Sequence, residues 1–323
     1  MKVALYRACG TAAESLRVED VDRPDPGPGE VRVRMQLSGV NPTDWKSRSG
    51  TTPRPIDDFQ VPHHDGAGII DAVGAGVSAG RVGQRVWTWM AAAGNRWGTA
   101  AQWSVLPARQ AVALPDGASS ELGASLGVPA MTAHHALFAD GPVDGKSVLV
   151  AGGAGAVGHY AIELAKFFGG RVAATVSGPA KAELARTAGA DLVVNYRDAD
   201  AADQLREFAP QFDRIVELAL GANLDLDLAV SGPGTHIVDY AAEATDPVLP
   251  VRRCMTANVT IRFILLYGIP AEAADQAVAD ISRAVAAGAL TELPVTRFSL
   301  DQVADAHNAV EAGAVGKVVV ELP

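Results

Sequence analysis

Cysteine is scarce in this chain. Only Cys9 and Cys254 occur among 323 residues, far apart and without a C-x-x-C pair. This excludes a disulfide framework and a four-cysteine zinc lobe. Basic residues are also in the minority, since 27 Lys and Arg stand against 37 Asp and Glu and the net charge is −10. Because nucleic acids and anionic membranes are bound by basic faces, neither is expected as a partner.

Long apolar runs are missing as well. No stretch reaches the roughly 18 residues of a membrane-spanning helix. Residues 1–6 alternate like a β-strand and are too short for a signal sequence. We therefore expect a cytoplasmic location. There is no internal repeat or low-complexity segment, and 323 residues with 48% hydrophobic content suggest two domains with sizeable cores.

The most informative stretch is 146–181. An apolar, strand-like run at 147–151 leads into Gly153, Gly155 and Gly158, a G-x-G-x-x-G, followed by helical spacing at 156–168 and a second strand at 171–176. In such a βαβ unit the first glycine lets the chain reverse, the second lets backbone approach a pyrophosphate, and the third lets the helix approach the strand. The pattern predicts dinucleotide binding, and the alternative is a purely structural βαβ turn.

The end of the second strand predicts which dinucleotide is bound. An NAD site has Asp or Glu there for the ribose 2′-hydroxyl. This chain has Ser177, with Lys181 one helical turn later, and no carboxylate before Glu183. A hydroxyl and an ammonium suit a 2′-phosphate, so NADP(H) is favoured over NAD(H). Alternatively, Ser177 caps the next helix and Lys181 is merely solvated.

The rest of the chain separates into a β-rich part and an α/β part. Before residue 122, short strands are separated by Gly and Pro with no helix between most of them, which predicts a barrel-type domain. From there to 267, strands and helices alternate, which predicts a doubly wound parallel sheet of Rossmann type. The strands are expected at 147–151, 172–176, 192–195, 214–217, 235–238 and 259–265, and the helices at 156–168, 179–187, 200–209 and 222–230. The tail is assigned to the first domain, so the expected division is 1–122 with 268–323, and 123–267.

Taken together, these segments resemble the medium-chain dehydrogenase/reductase superfamily, and within it the zinc-independent, ζ-crystallin-like quinone oxidoreductases. The resemblance covers essentially the whole chain and implies a Rossmann-type sheet inserted in a GroES-like domain. It is carried by short motifs in a fixed order: G-V-N-P-T-D at 39–44, V-P-H-H-D-G-A-G at 61–68, V-G-Q-R-V at 82–86, M-T-A at 131–133, the glycine turn at 152–158, G-A-D at 189–191 and G-K-V-V-V at 316–320.

Zinc-dependent relatives have a cysteine where this chain has Asn41. His64 and Asp65 resemble the family's His-Glu pair, but two ligands without a thiolate make a poor catalytic zinc site, so no metal is expected. The adjacent His63 and His64 depart from the usual pattern. They are interpreted either as hydrogen-bonded loop histidines or as a substrate-facing proton donor.

The resemblance also implies roles for individual residues. Asn41, Asp44 and Thr132 would lie near the nicotinamide, Gly155, Ala156 and Val157 would offer amides to the pyrophosphate, and Ser177, Lys181 and Tyr196 would hold the 2′-phosphate. Asn41, Asp44 and His64 are the catalytic candidates, with the Asn41 amide stabilising an oxyanion. From the residues alone, Asn41 and Asp44 could equally be turn and cap residues, and Tyr196 could simply cover the sheet edge.

The expected function is hydride transfer from NADPH to a quinone or an α,β-unsaturated carbonyl without zinc. The alternatives are a zinc-type alcohol dehydrogenase, a non-catalytic NADPH-binding sensor or structural protein, and a reductase domain from polyketide or fatty-acid synthesis. The apolar stretch at 256–266 could pair with its copy across a two-fold axis, so a homodimer is expected.

Overall fold

The computed structural model describes residues 1–323. It divides the chain into two units: Met1–Val128 with Glu292–Pro323 form unit 1, and Pro129–Thr291 form unit 2. None of the helices combines the length and the apolar character that crossing a membrane requires.

Regular structure covers most of the chain. The strands are β1 (Lys2–Leu5), β2 (Arg17–Asp20), β3 (Glu30–Val40), β4 (Asp65–Val73), β5 (Arg85–Thr88), β6 (Trp103–Pro107), β7 (Ala111–Ala113), β8 (Ser147–Val150), β9 (Arg171–Val176), β10 (Leu192–Asn195), β11 (Arg214–Glu217), β12 (His236–Asp239), β13 (Thr260–Phe263), β14 (Val295–Ser299) and β15 (Lys317–Glu321). The helices are α1 (Ala12–Ser15), α2 (Pro42–Ser49), α3 (Ser120–Ser125), α4 (Met131–Phe138), α5 (Ala156–Phe167), α6 (Pro179–Thr187), α7 (Ala201–Phe208), α8 (Leu220–Ala229), α9 (Val251–Ala257), α10 (Ala271–Ala286) and α11 (Val303–Glu311).

Unit 1 is built on a mostly antiparallel sheet in the order β14-β15-β3-β4-β5-β7, with β6 also paired to β3. The central strand β3 alternates as its sequence predicts. Val31, Val33 and Met35 are buried with Ile70 and Leu106 in one hydrophobic cluster. The C-terminal strand β15 pairs with β3, which brings the end of the chain into the sheet of the N-terminal part.

The alternation of apolar residues predicts a strand over 30–37, but β3 continues to Val40. The end of this strand carries a polar side chain into the interior, since Ser38 is fully buried. The strand therefore delivers Asn41, which starts α2, into the interior rather than onto a surface loop. Asp65 likewise opens β4, directly opposite Gly39 in the strand register.

Unit 2 contains a six-stranded, all-parallel sheet in the order β10-β9-β8-β11-β12-β13. The order reverses on either side of β8, as in a doubly wound fold, and the carboxyl ends of strands at such a point form ligand sites. The Rossmann-type sheet predicted from the alternation of strands and helices is confirmed. β10 and β11 have the predicted bounds, β8 and β9 differ by one residue at one end, and β12 and β13 differ by one or two residues at each end.

Some predicted elements were wrong. The sequence of 99–105 predicts a strand, but β6 begins only at Trp103, and α9 was not foreseen. The unit boundary after Thr291 lies later than the expected 267, because α10 packs on α4, with His134 Nε2 2.9 Å from Asp280 Oδ2. The earlier boundary lies after Val128 rather than at 122, since α3 packs on β4.

Candidate functional site

A sharp turn joins β8 to α5 in unit 2. The chain reverses at Gly152, whose φ is +64°, and not at Gly153 as the motif suggested. Gly153 serves packing instead, because a Cβ there would lie 2.8 Å from the Cβ of Ala174 on β9. A Cβ on Gly158 would lie 2.3 Å from the carbonyl oxygen of Gly152. Packing within the protein therefore explains these two glycines of the motif.

Gly155 has no such explanation. The nearest atom to a Cβ at this position is 3.4 Å away, and the backbone is extended (φ −77°, ψ 163°), which any residue adopts. The missing side chain leaves room that the protein itself does not use. Gly155 is also the N-cap of α5, and no side chain caps the helix. The amides of Ala156 and Val157 thus lie at a helix N-terminus that fits the pyrophosphate of a dinucleotide.

The ends of β9 and β10 lie side by side, since these strands are parallel neighbours. Ser177 follows β9, and Tyr196 and Arg197 follow β10. Arg197 Nη1 donates to the carbonyl oxygen of Ser177 at 3.0 Å, and its guanidinium lies 5.4 Å from the centroid of the Tyr196 ring. Tyr196 is 41% exposed and so remains accessible to a ligand.

Arg197 was missed in the sequence. The sequence contained a signal for Arg197, because the residues that follow two neighbouring parallel strands lie next to each other at the same edge of the sheet. The structure also rejects one alternative: Ser177 does not cap α6, whose N-cap position is Gly178 with no side-chain cap. Lys181 is exposed in the first turn of α6 and is not hydrogen-bonded to Ser177. Thr132 is buried on α4 in the same unit.

In unit 1, Asn41, Asp65 and Lys317 form a buried triad. Lys317 Nζ donates to Asn41 Oδ1 at 2.7 Å and to Asp65 Oδ2 at 2.9 Å, and Asn41 Nδ2 donates to Asp65 Oδ2 at 2.7 Å. All three residues are at most 2% exposed. Because an ammonium can only donate, the orientation of the Asn41 amide is fixed. One hydrogen of Asn41 Nδ2 is left without a partner in the protein.

Glycines and a backbone N–H around this triad make room for its side chains and hold Asp65 in place. A Cβ on Gly39 would lie 2.1 Å from the carbonyl oxygen of Ala124 and 2.8 Å from Lys317 Cε, so a side chain at this position would collide with both. Asp65 Oδ1 accepts the backbone N–H of Val128 at 2.7 Å, and a Cβ on Gly127 would lie 2.1 Å from that oxygen. Both carboxylate oxygens of Asp65 are therefore occupied.

Asp44 combines a structural and a chemical feature. Its Oδ2 accepts the backbone N–H of Asn41 at 2.7 Å, which is the cap role considered as the alternative for this residue. Asp44 is also buried, and burial raises the pKa of its carboxyl to about 8. The carboxyl is therefore protonated at neutral pH.

His64 is buried and neutral. Its Nε2 lies 3.2 Å from Arg54 Nη1, and since a guanidinium can only donate, Nε2 is the acceptor. Burial lowers the pKa of His64 to about 3, so the ring is neutral at working pH and its single hydrogen is on Nδ1. The role of His64 as proton donor stays a prediction, and neither its neutral state nor its contact with Arg54 favours that role.

His63 is engaged at both nitrogens. Thr99 Oγ1 donates its only hydrogen to the carbonyl oxygen of Asp65 at 2.6 Å, so Ser38 Oγ, 2.7 Å away, must donate to Thr99. His63 Nδ1–H then donates to Ser38 Oγ at 2.7 Å, and His63 Nε2 accepts from His307 Nε2 at 2.9 Å. Because His63 is fully buried, it belongs to this internal chain and is not substrate-facing.

These donors do not fit a catalytic zinc ion. Asp65 is paired with an ammonium, His64 Nε2 accepts from Arg54, and Asn41 replaces a thiolate. Residues 1–323 contain no group of three or more His, Cys, Asp or Glu side chains that could hold a metal. A zinc site of three protein ligands with an open position therefore has no ligand set here.

Comparison with known proteins matches both units. Residues 156–283 match the family described as zinc-binding dehydrogenase, and residues 27–116 match the alcohol dehydrogenase GroES-like domain. The quinone oxidoreductase of Lama guanicoe is 30% identical over 96% of this chain and 94% of its own length. The human quinone oxidoreductase is 29% identical over 99% and 97% of the two chains.

Solved structures agree on the fold. A mycobacterial protein complexed with NADPH is 30% identical, with a TM-score of 0.84 and complete coverage of both chains. An NAD-dependent alcohol dehydrogenase is 26% identical, with a TM-score of 0.90 and the same coverage.

Proposed function

The chain belongs to the medium-chain dehydrogenase/reductase superfamily of oxidoreductases, and we propose that it reduces quinones or α,β-unsaturated carbonyls with NADPH and without zinc. The observation that carries the proposal is the buried triad of Asn41, Asp65 and Lys317. In this triad the Lys317 ammonium lies against the Asp65 carboxylate, and the Asn41 amide keeps one oriented N–H without a partner in the protein. The relatives named quinone oxidoreductases support the choice of acceptor.

The cofactor is assigned to unit 2. The open position at Gly155 and the amides of Ala156 and Val157 would hold the pyrophosphate. The Ser177 hydroxyl, Lys181 and Arg197, with the face of Tyr196, would hold a 2′-phosphate by charge-assisted hydrogen bonds. When bound, NADPH supplies the hydride of the reaction. The NADPH complex of a 30% identical mycobacterial protein supports this choice.

The acceptor side is assigned to unit 1. The second Nδ2 hydrogen of Asn41 would stabilise the oxyanion that develops when an acceptor carbonyl is reduced. Lys317 and Asp65 hold that amide in one orientation, so they act as positioning residues. Asp44 holds a proton at neutral pH, because burial raises its pKa to about 8. The proton that completes the reduction would come from Asp44 or from solvent.

We also propose that the protein is a homodimer. Strand β13 lies at one edge of the parallel sheet, and apolar side chains at its end and just after it are exposed. Phe263 is 62% exposed and Leu265 67%, and Met255 on the neighbouring α9 is 74% exposed. An open strand edge with apolar side chains is suited to pairing with a second copy.

The test is the oxidation of NADPH, followed by its absorbance, with menadione and benzylideneacetone as acceptors. We expect both NADPH consumption and reduced product, in excess of the enzyme-free rate. Oxidation of simple alcohols that requires added zinc would instead identify an alcohol dehydrogenase, the activity named for one structural neighbour. Tight NADPH binding without turnover of any quinone or enone would identify a non-catalytic binding protein.

A further inference from the structure

Two acidic side chains are buried in unit 2 and have no role in the function proposed above. Glu217 is the last residue of β11 and is 0% exposed, and Asp227 lies within α8 and is 1% exposed. An ionised carboxylate is costly to bury unless its oxygens are compensated by donors or by a cation. The hydrogen bonds of the two groups therefore decide which of them is charged.

Glu217 is held through one of its oxygens. Its Oε1 accepts the backbone N–H groups of Leu218 at 2.6 Å and Ala219 at 2.5 Å, and the side-chain N–H of Asn223 at 2.9 Å. Three donors on one oxygen favour the ionised form of Glu217. The other oxygen, Oε2, is buried and has no N–H or hydroxyl partner in the protein.

Asp227 supplies the donor that Glu217 Oε2 lacks. Its Oδ2 is likewise buried without an N–H or hydroxyl partner, and the side chains of Asp227 and Glu217 are hydrogen-bonded to each other. Because an ionised carboxylate can only accept, a proton must lie between the two groups. Burial, and after it the charge of Glu217, raise the pKa of Asp227 well above its ordinary value, so Asp227 carries this proton.

The other ionisable groups around the pair do not take over the role of this proton. Asp239, opposite Glu217 in the strand register, has its pKa raised by burial to about 6, so it adds negative charge at neutral pH. Burial raises the pKa of the Tyr240 phenol, which stays neutral, and the Glu243 carboxylate accepts the N–H of Gly221. The other charged residues of α7, α8 and α9 are all exposed, namely Asp203, Arg206, Glu207, Asp225, Arg252 and Arg253.

The residues on either side of Glu217 contact the glycine turn between β8 and α5. The N–H of Ala151 at the start of this turn donates to the carbonyl oxygen of Val216 at 2.9 Å. Leu218 lies against the turn, since a Cβ on Gly152 would be 2.5 Å from Leu218 Cδ2. The bonds accepted by Glu217 Oε1 therefore fix the segment that packs on the reversal at Gly152.

We propose that Glu217 is a positioning residue for the cofactor: the proton that it shares with Asp227 keeps Leu218 against the turn that would bind NADPH, and loss of this proton weakens NADPH binding. The proposal rests on the assignment of the cofactor to this turn. Without the proton, two buried like charges would face each other, and their repulsion would displace α8 together with the segment 218–219.

The first experiment measures the Kd of NADPH by calorimetry from neutral to alkaline pH and does not depend on turnover. Once the shared proton is lost, the Kd of the wild type should rise by about tenfold per pH unit, because only the protonated fraction binds well. Asp227→Asn should bind NADPH like the wild type at neutral pH and should not show this rise, since its amide N–H donates to Glu217 without titrating.

Asp225→Asn, at an exposed aspartate of the same helix, is the matched control and should follow the wild type. All these proteins keep Lys181, so titration of its ammonium cannot cause a difference between them. Glu217→Gln keeps an acceptor for the three N–H groups and donates to Asp227 through its amide. It should therefore behave like Asp227→Asn, and it replaces that variant if Asp227→Asn does not fold.

The second experiment measures urea unfolding by far-ultraviolet circular dichroism, because most of the helices lie in unit 2. Above the ordinary pKa of 3.8, the folded state keeps a proton that the unfolded chain releases. The free energy of unfolding therefore falls as the pH rises from there to the raised pKa of Asp227. We expect this fall in the wild type relative to Asp227→Asn, which has no such proton.

The outcomes separate this proposal from the proposed function. If NADPH binds and the wild type and Asp227→Asn show the same pH dependence of Kd, the cofactor assignment stands and the positioning role is overturned. An unfolding difference between the two proteins that does not change with pH would overturn the shared proton. Absence of NADPH binding at every pH would instead contradict the cofactor assignment, and the positioning role with it.

Discussion

Replacing Lys317 by methionine should destabilise unit 1 by about 3–5 kcal/mol, because it leaves the Asp65 charge buried without a counterion. The lysine ammonium lies 2.9 Å from Asp65 Oδ2 and 2.7 Å from Asn41 Oδ1, and the two charged side chains are only 2% and 0% exposed. Water can therefore replace none of the lost bonds. The variant Lys317→Met with Asp65→Asn should recover part of the loss, since no unpaired charge is then left inside.

Tryptophan fluorescence during urea unfolding is the suitable assay. All five tryptophans lie between residues 45 and 103, so the signal reports on unit 1 alone. The matched control is Lys2→Met, which removes an exposed ion pair of 3.2 Å to Asp20 and should cost less than about 1 kcal/mol. A loss below about 1 kcal/mol for Lys317→Met would mean that Asn41, Asp65 and Lys317 are not a buried, coupled unit.

Four further predictions concern the cofactor, acid stability and assembly. Lys181→Ala and Arg197→Ala should each raise the KM for NADPH, but not for NADH, by the factor that corresponds to a loss of about 1–3 kcal/mol of binding free energy. Arg186→Ala, on the same helix α6, is the control. Equal losses with both cofactors would count against a 2′-phosphate site. Gly155→Val should abolish NADPH binding in calorimetry without lowering the melting temperature. Gly158→Val should instead lower the melting temperature, because its Cβ would collide with the Gly152 carbonyl oxygen. A lowered melting temperature of Gly155→Val would contradict the ligand role of this glycine. Burial lowers the pKa values of His64 and His307 to about 3, below their value of about 6.5 in the unfolded chain. The unfolded state therefore binds more protons, and stability falls as the pH drops from about 6.5 towards 3. Each histidine should lower the free energy of unfolding by about 2 kcal/mol between pH 7 and 5 in urea titrations, and a pH-independent free energy of unfolding would be inconsistent with neutral buried histidines. Phe263→Asp with Leu265→Asp should give monomers in sedimentation velocity, while a monomeric wild type would remove the proposed dimer altogether.

Local sequence patterns were enough for the parallel sheet and the glycine turn. Short runs with an apolar centre predict strands such as β10 and β11, because Val194, Ile215 and Val216 are buried between the sheet and its helices. The glycine turn was also foreseen, because its glycines follow one another within a short segment of the sequence. The reversal occurs at Gly152 rather than Gly153, and the packing of Gly153 against Ala174 of β9 was not foreseen.

Long-range pairings were beyond the sequence. Lys317 is 276 residues from Asn41, and only the pairing of β15 with β3 brings them together. The roles of His63 and His64 similarly depend on His307 and Arg54, whose hydrogen bonds decide which ring nitrogens carry hydrogens. Two adjacent histidines alone suggest a proton donor. Their hydrogen bonds show that His63 belongs to an internal chain with His307 and that His64 Nε2 accepts from Arg54.

Reduction of a carbon acceptor with NADPH and no metal can be measured in a single turnover. NADPH oxidation with menadione is followed using protein that has been dialysed against a chelator and analysed for zinc. We expect an undiminished rate constant at a zinc content far below one per chain. A rate that vanishes on chelation and returns with added zinc would show that the reaction depends on the metal.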